Sequence, residues 1–192
     1  MYNDPLIPGN MYHIYNRGNN REPIFKEPRN YLFFLGIWKK YIAPVADTYV
    51  YSLQPNHFHF LINTKESIDE VQQEKSIKQA FSNCFNSYAK SINKAYGRTG
   101  SLFQERFGRK LIDTDNYLTQ IIFYIHSNAQ KHGITHDFTK YPYSSYSSIL
   151  SEKTTMLKRE EVLEWFGSKE QFIEFHQCNQ QLLVAYLNQI EF

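Results

Sequence analysis

The chain has 192 residues, 42% of them hydrophobic and 21% charged, which fits a folded globular protein and excludes a disordered chain. The net charge of +2 selects no partner, while 15 Tyr and 15 Phe can fill a core or stack on unpaired bases. Cys84 and Cys178 have no motif spacing, so neither a disulfide framework nor a zinc site is expected. No secretory signal and no membrane-spanning apolar run is read, so a cytoplasmic location is expected.

Met11 to Asn16 alternates like a strand and breaks at a turn over Arg17-Gly18-Asn19-Asn20. Pro28 suits the first turn of a helix running to Ile42, with Leu32, Leu35, Trp38 and Ile42 as its apolar stripe. Pro44 ends it. Val45 to Leu53 reads as a second strand, joined through Pro55-Asn56 to a third strand over His57–Asn63. A long helix is expected from Ser76 to Tyr96, its stripe formed by Ile77, Phe81, Phe85, Tyr88 and Ile92. Lys90 and Lys94 lie off that stripe, and Gly97 suits a C-terminal cap. Ser101 to Ile112 reads as a fourth strand carrying Arg106, Arg109 and Lys110. Asp113-Thr114-Asp115 offers N-cap chemistry for a helix over Asn116–His132, closed by Gly133. The order predicts an α+β fold, a ferredoxin-like antiparallel sheet with helices packed on one face. Two further helices, Glu160–Phe166 and Ser168–His176, form a small C-terminal appendage. The expected division is 1–150 and 151–192. Leu163, Trp165, Phe166, Phe172 and Phe175 are too apolar for a free tail, so packing on the body is expected.

Charge is uneven. Arg17 to Lys40 holds six Lys or Arg against two acids, Ser76 to Lys110 seven against one, and Ser151 onward four against seven. Two basic segments flank the third strand, a pattern that suits a polyanion. On that strand His57 and His59 share one face, and Phe58 and Phe60 the other. Two neighbouring imidazoles are a common start for a divalent-metal site, with two histidines hydrogen-bonded in a polar sheet face as the alternative. On the last long helix Tyr124 and Asn128 are a turn apart on one face, with Gln120 one turn earlier. An amide oxygen can serve as a third ligand for a hard ion, and Tyr124 could bring a hydroxyl to a metal-bound substrate. A core tyrosine is the competing reading.

Five motifs occur in order. They are Tyr12-His13-Ile14-Tyr15-Asn16-Arg17-Gly18; Gln54-Pro55-Asn56-His57-Phe58-His59-Phe60-Leu61; Gly100-Ser101-Leu102-Phe103-Gln104-Glu105-Arg106-Phe107; Tyr124-Ile125-His126-Ser127-Asn128 with Lys131-His132-Gly133; and Tyr141-Pro142-Tyr143-Ser144-Ser145-Tyr146. Together, over residues 10 to 150, they resemble the single-tyrosine HUH transposases, especially the REP-associated tyrosine (IS200-like) branch. The resemblance implies an HUH endonuclease fold that cleaves and rejoins single-stranded DNA at hairpin-bearing sites through a 5′-phosphotyrosine. It implies Tyr124 as nucleophile and His57, His59 and Asn128 as ligands of Mg²⁺ or Mn²⁺. Asn16 and Arg17 hold the substrate backbone or make a structural turn. With Lys90, Lys94, Arg106, Arg109 and Lys110 they form the candidate DNA-binding set. Gln54 stands where Met often precedes the Pro-Asn pair, and Ala129 replaces a common proline; neither removes a catalytic group. A bacterial, nucleoid-associated location is implied, with monomer and homodimer both open. The rival readings are a His-x-His metallohydrolase, without a covalent intermediate, and a domesticated, non-catalytic nucleic-acid-binding protein.

Overall fold

The computed structural model describes residues 4–66, 70–112 and 115–190. It contains four strands: β1 (Met11–Arg17), β2 (Ala46–Gln54), β3 (His57–Thr64) and β4 (Gly108–Leu111). Helices α1 (Pro28–Ile42), α2 (Glu70–Ala95) and α3 (Asp115–Lys131) are followed by α4 (Tyr146–Leu150), α5 (Arg159–Phe166) and α6 (Lys169–Ile190). The strands form one antiparallel sheet in the order β2-β3-β1-β4. The α+β class and strand order agree with the sequence expectation.

The two faces of β3 have separate tasks. Phe58 and Phe60 meet α1 and α2: the Phe60 ring stacks on Trp38 at 3.7 Å, and Phe58 lies 5.2 Å from Phe34 and 5.7 Å from Phe85. Trp38 satisfies its indole N–H on the Thr48 hydroxyl at 3.1 Å, so the ring is buried without a stranded donor. His57 and His59 point to the other face, where α3 crosses. Helices therefore cover both faces, not one. Leu61 and Val50 make the face that carries the imidazoles too apolar to leave bare.

Several details differ from expectation. The buried apolar residues of α1 are Tyr31, Phe34, Ile37, Trp38 and Ile42, with Leu35 half-buried beside them, while Leu32 is 71% exposed. β4 covers only Gly108–Leu111. The preceding loop runs beside the end of β1 through a bridge from Gly18 to Phe103 and bonds from the Gln104 N–H to the Arg17 carbonyl at 3.0 Å, from the Asn19 N–H to the Leu102 carbonyl at 2.9 Å and from the Asn16 side-chain N–H to the Gln104 carbonyl at 3.4 Å. It tucks Phe103 and Phe107 against Phe85 instead of continuing the ladder, which leaves Arg106 outside the strand. α2 starts earlier and α6 runs further than expected. Asp113 and Thr114 of the expected cap lie outside the described residues. Gly133 ends α3 with a φ of +67°, as a C-terminal glycine cap requires.

Residues after 150 pack back on the body. The Lys158 N–H donates to the Thr48 carbonyl at 2.9 Å, and Trp165 lies 4.7 Å from Tyr49 on β2. Phe172 and His176 are fully buried beside His126 of α3.

Candidate active site

The site begins in the turn before β3. Asn56 donates its side-chain N–H to the Arg21 carbonyl at 3.2 Å, which turns its oxygen toward His57 Nδ1, 2.7 Å away. That oxygen only accepts, so Nδ1 carries the proton and Nε2 of a neutral ring is bare. Burial, as the main cause, holds His57 down at a pKa of about 4, so the ring is neutral at physiological pH.

Asn128 of α3 is fully buried, and its Oδ1 lies 2.8 Å from His57 Nε2. Two lone-pair atoms thus face each other, and the Asn128 amide nitrogen is buried without a partner among the described residues. Turning the amide would mend the first defect and strand the oxygen instead. A cation between Nε2 and Oδ1 satisfies both acceptors, so these residues fit a divalent metal. Among the described residues no group of three His, Cys, Asp or Glu forms a metal cage; the donors are imidazoles and one amide oxygen.

His59 is buried one pleat further along β3. Its Nδ1 lies 2.9 Å from Nε2 of His13 on β1. Burial first, then His13, pushes its pKa well below the usual histidine range; burial and then Lys110 hold His13 at about 3. Tyr15, directly opposite His59 in the ladder, stacks near both rings, 5.0 Å from His13 and 5.9 Å from His59. Gly108 on β4 makes room for it: a Cβ there would sit 2.2 Å from the Tyr15 ring.

Tyr124 closes the group. Its ring stands edge-on to His59 at 5.5 Å and to His13 at 5.9 Å. The Lys131 ammonium lies 5.2 Å from its ring centre. A cleft of about 450 Å³ opens beside it, lined by His13, Tyr15, His59, Lys110, Gln120 and Tyr124. His132 packs 5.0 Å from His57 across the same face. Arg17 is exposed, and its charge helps to lower His57, His59 and His132.

The fold therefore brings His57, His59, Asn128 and Tyr124 together, with Arg17 and Lys110 on the same face. Other members of the DNA-binding set lie elsewhere. Asn16 is buried on the opposite side of β1, its oxygen accepting the Arg17 N–H at 2.8 Å. With Lys90 and Gln104 it lines a second cavity, of about 520 Å³, between α2 and the loop before β4. Lys94 is exposed on α2, and Arg106 is exposed on that loop. Arg109 donates its Nε to the Asp4 carbonyl at 2.5 Å and lies over Phe107. The sequence reading left Asn56, His13, Tyr15 and Lys131 without individual roles. His13 and Tyr15 could have been found from the alternation of β1, which puts them on one face, and Lys131 from its place two turns after Tyr124 on the same helix; Asn56 needed the contact with Arg21 that turns its oxygen toward His57.

No curated protein matches the chain. Among solved structures it is similar to a REP-associated tyrosine transposase bound to a REP hairpin, with 18% identity and a TM-score of 0.58 over 79% of this chain and 86% of that one. Weaker likenesses are to a bacterial tRNA(HIS) guanylyltransferase (Thg1)-like protein. Its GTP complex is 10% identical with a TM-score of 0.47 over 69% and 68% of the two chains. Its ATP complex is 9% identical with a TM-score of 0.47 over 88% and 75%. The family model of the IS200-like transposases matches residues 8–128, which is more than half of the chain and spans both histidines, Tyr124 and Asn128, and the chain belongs to that family.

Proposed function

We propose that this transposase cleaves and rejoins single-stranded DNA through a covalent bond to Tyr124. The observation that carries the reading is the placement of Tyr124 against His59 and His13, with Asn128 one helical turn on against His57. The Tyr124 oxygen attacks the scissile phosphorus and loses its proton. The bond to the neighbouring 3′ oxygen breaks, and that oxygen takes up a proton. The products are a 5′-phosphotyrosine and a free 3′-OH. Because the ester bond energy is retained, attack by another 3′-OH rejoins the strand and frees the tyrosine.

A phenol titrates near ~10, so Tyr124 needs help at neutral pH. The Lys131 ammonium over its ring favours the phenolate as it develops. Held by His57, His59 and Asn128, Mg²⁺ or Mn²⁺ would supply positive charge at the nonbridging phosphate oxygens. Lys110 lines the cleft and Arg17 lies further along the same face of β1, and they suit the phosphates on either side of the cut. Lys90 and Asn16, at the second cavity, together with Lys94 and Arg106, suit the strand beyond it; Arg109, tied to Asp4, contributes least. The related solved transposase binds a REP hairpin, and we extend a hairpin-bearing single strand to this chain as substrate. Residues 1–150 form the catalytic unit and 151–192 its helical support. Among the described residues no helix is long and apolar enough to cross a membrane, and the setting we assign is the bacterial cytoplasm, at the nucleoid.

The test is denaturing electrophoresis of single-stranded substrate labelled on the 3′ side of the cut, followed by peptide mapping. The wild type should form an adduct on Tyr124. Tyr124→Phe should form none while still binding DNA. His57→Ala and His59→Ala should bind without cleaving. Cleavage without an adduct would support the metallohydrolase, and binding without cleavage the domesticated protein. An adduct that survives Tyr124→Phe defeats the assignment.

A further inference from the structure

His13 is outside the proposed ligand set, yet it touches both halves of the candidate site. Its Nε2 lies 2.9 Å from His59 Nδ1. Its ring stands edge-on to Tyr124 at 5.9 Å, an interplanar angle of 80°. We infer that His13 is a positioning residue that accepts the His59 Nδ1 proton, leaving His59 Nε2 bare for a divalent cation, while its ring backs Tyr124. The inference rests on the metal reading above.

The argument is one of proton arithmetic. Two neutral imidazoles with facing nitrogens at this distance share one proton. If His13 donates it, neutral His59 must carry its own proton on Nε2 and cannot bind a cation through that atom. If His59 donates, Nδ1 is occupied and Nε2 is bare. Only the second arrangement makes His59 a ligand through the nitrogen that His13 leaves open. The same device is built at His57, where the Asn56 oxygen takes the Nδ1 proton at 2.7 Å. Each candidate histidine ligand thus has its Nδ1 directed at a fixed neighbour, one an amide in the hairpin turn and one an imidazole from the adjacent strand. Such partners fix the tautomer and orientation of a metal-binding ring.

The setting of His13 fits an acceptor held in place. It is 6% exposed and lies across the β1–β4 ladder from Lys110. Tyr15 flanks it on one side at 5.0 Å and His59 on another, with ring centroids 5.1 Å apart. Here the partner is a candidate ligand and the flank is the candidate nucleophile.

The experiment measures Mn²⁺ affinity of the full chain by electron paramagnetic resonance or calorimetry, for wild type, His13→Ala, His13→Gln and His59→Ala. His13→Ala should weaken Mn²⁺ binding by ~10- to 100-fold. His13→Gln, whose side-chain oxygen can accept the same proton, should recover most of the loss. Nitrogen NMR of the Mg²⁺-loaded wild type should find His59 protonated on Nδ1 and not on Nε2; this readout needs no variant to fold. The inference is overturned if His13→Ala binds Mn²⁺ like wild type, if His13→Gln is no better than His13→Ala, or if loaded His59 carries its proton on Nε2. If His59→Ala binds Mn²⁺ as tightly as wild type, the metal reading itself has failed and takes the inference with it.

Discussion

Gly108→Ala is a small change with a calculable conflict. Gly108 sits in an ordinary strand, so its backbone does not demand glycine. Alanine there should by itself stabilise a strand by about 0.5–1 kcal/mol. Space decides against it: the new Cβ would lie 2.2 Å from Cζ and 2.3 Å from Cε2 of Tyr15. Carbon atoms rest at ~3.5–4.0 Å, so the ring must retreat by about 1.3 Å or more. Retreat breaks its stacking on His13 and His59, at ~0.5–1.5 kcal/mol per ring pair. Overpacking typically costs ~1–3 kcal/mol, and the half-buried Tyr15 can swing partly toward solvent, which favours the lower end. The expected net effect is a loss of about 0.5–2 kcal/mol. In a Tyr15→Ala background the clash is gone, and the same substitution should stabilise by about 0.5–1 kcal/mol. Urea unfolding of the four proteins in a double-mutant cycle should give a coupling of roughly 1–3 kcal/mol. An effect of the same sign and size in both backgrounds refutes the reasoning.

Two other outcomes follow from the packing and the buried histidines. Phe172→Ala removes a fully buried ring that contacts Phe166, Tyr146 and His126, and should cost about 3–5 kcal/mol, seen in calorimetry as a Tm drop of roughly 6–20 °C; a drop of under ~2 °C would mean the tail is only loosely docked. His57 and His176 are held at about 4 in the fold against 6.5 when unfolded, so the unfolded chain takes up protons first as pH falls. The histidine contribution to stability is present in full above pH 6.5 and is lost as pH falls toward about 4, so Tm should decline through that window; a melt that stays flat across it contradicts the burial of neutral imidazoles.

Much of this site could be read from local spacing because local spacing is what a strand or helix turns into geometry. His57 and His59 share a face because the strand period is two, and Tyr124 and Asn128 because a helical turn is near four residues. Relations across elements carry no such signal. His13 and His59 are 46 residues apart, and their contact depends on the register that sets Tyr15 opposite His59. Trp38 and Ile42 of α1 are buried as their spacing predicts, but Leu32 and Tyr31 are equally plausible apolar residues in sequence, and only tertiary packing separates them: Phe34 meets Phe58 and Phe60 of β3, and Tyr31 stacks on Phe25 and Tyr143. β4 was read too long because Phe103 and Phe107 look like strand residues, whereas they are drawn into the cluster with Phe85.

The proposed nucleophile Tyr124 and the proposed ligand Asn128 come from α3 and the two proposed histidine ligands from β3, so the candidate site is only as well defined as the seat of α3 on the sheet. One side of α3 meets His57 and His59. On its other side a chain of hydrogen bonds runs with one possible direction. His176 donates Nδ1–H to the Phe172 carbonyl at 2.8 Å, so its Nε2 accepts from His126 Nδ1 at 3.0 Å. His126 Nε2 then accepts from the Ser145 hydroxyl at 2.9 Å, and the Ser145 oxygen accepts the Tyr51 N–H of β2 at 2.8 Å. The Ser145 hydroxyl reaches two acceptors, His126 Nε2 and the Tyr51 carbonyl at 3.1 Å, and with its proton on the His126 bond no member of the chain needs to be charged. The tail, α3 and the sheet are thereby joined through directional bonds in a dry interior, where apolar packing alone would leave α3 freer to slide. His126 lies two residues from Tyr124 and two from Asn128. A slide that broke its bond to Ser145 would carry both functional side chains away from the histidines, and that cost at one face of the helix holds the geometry at the other.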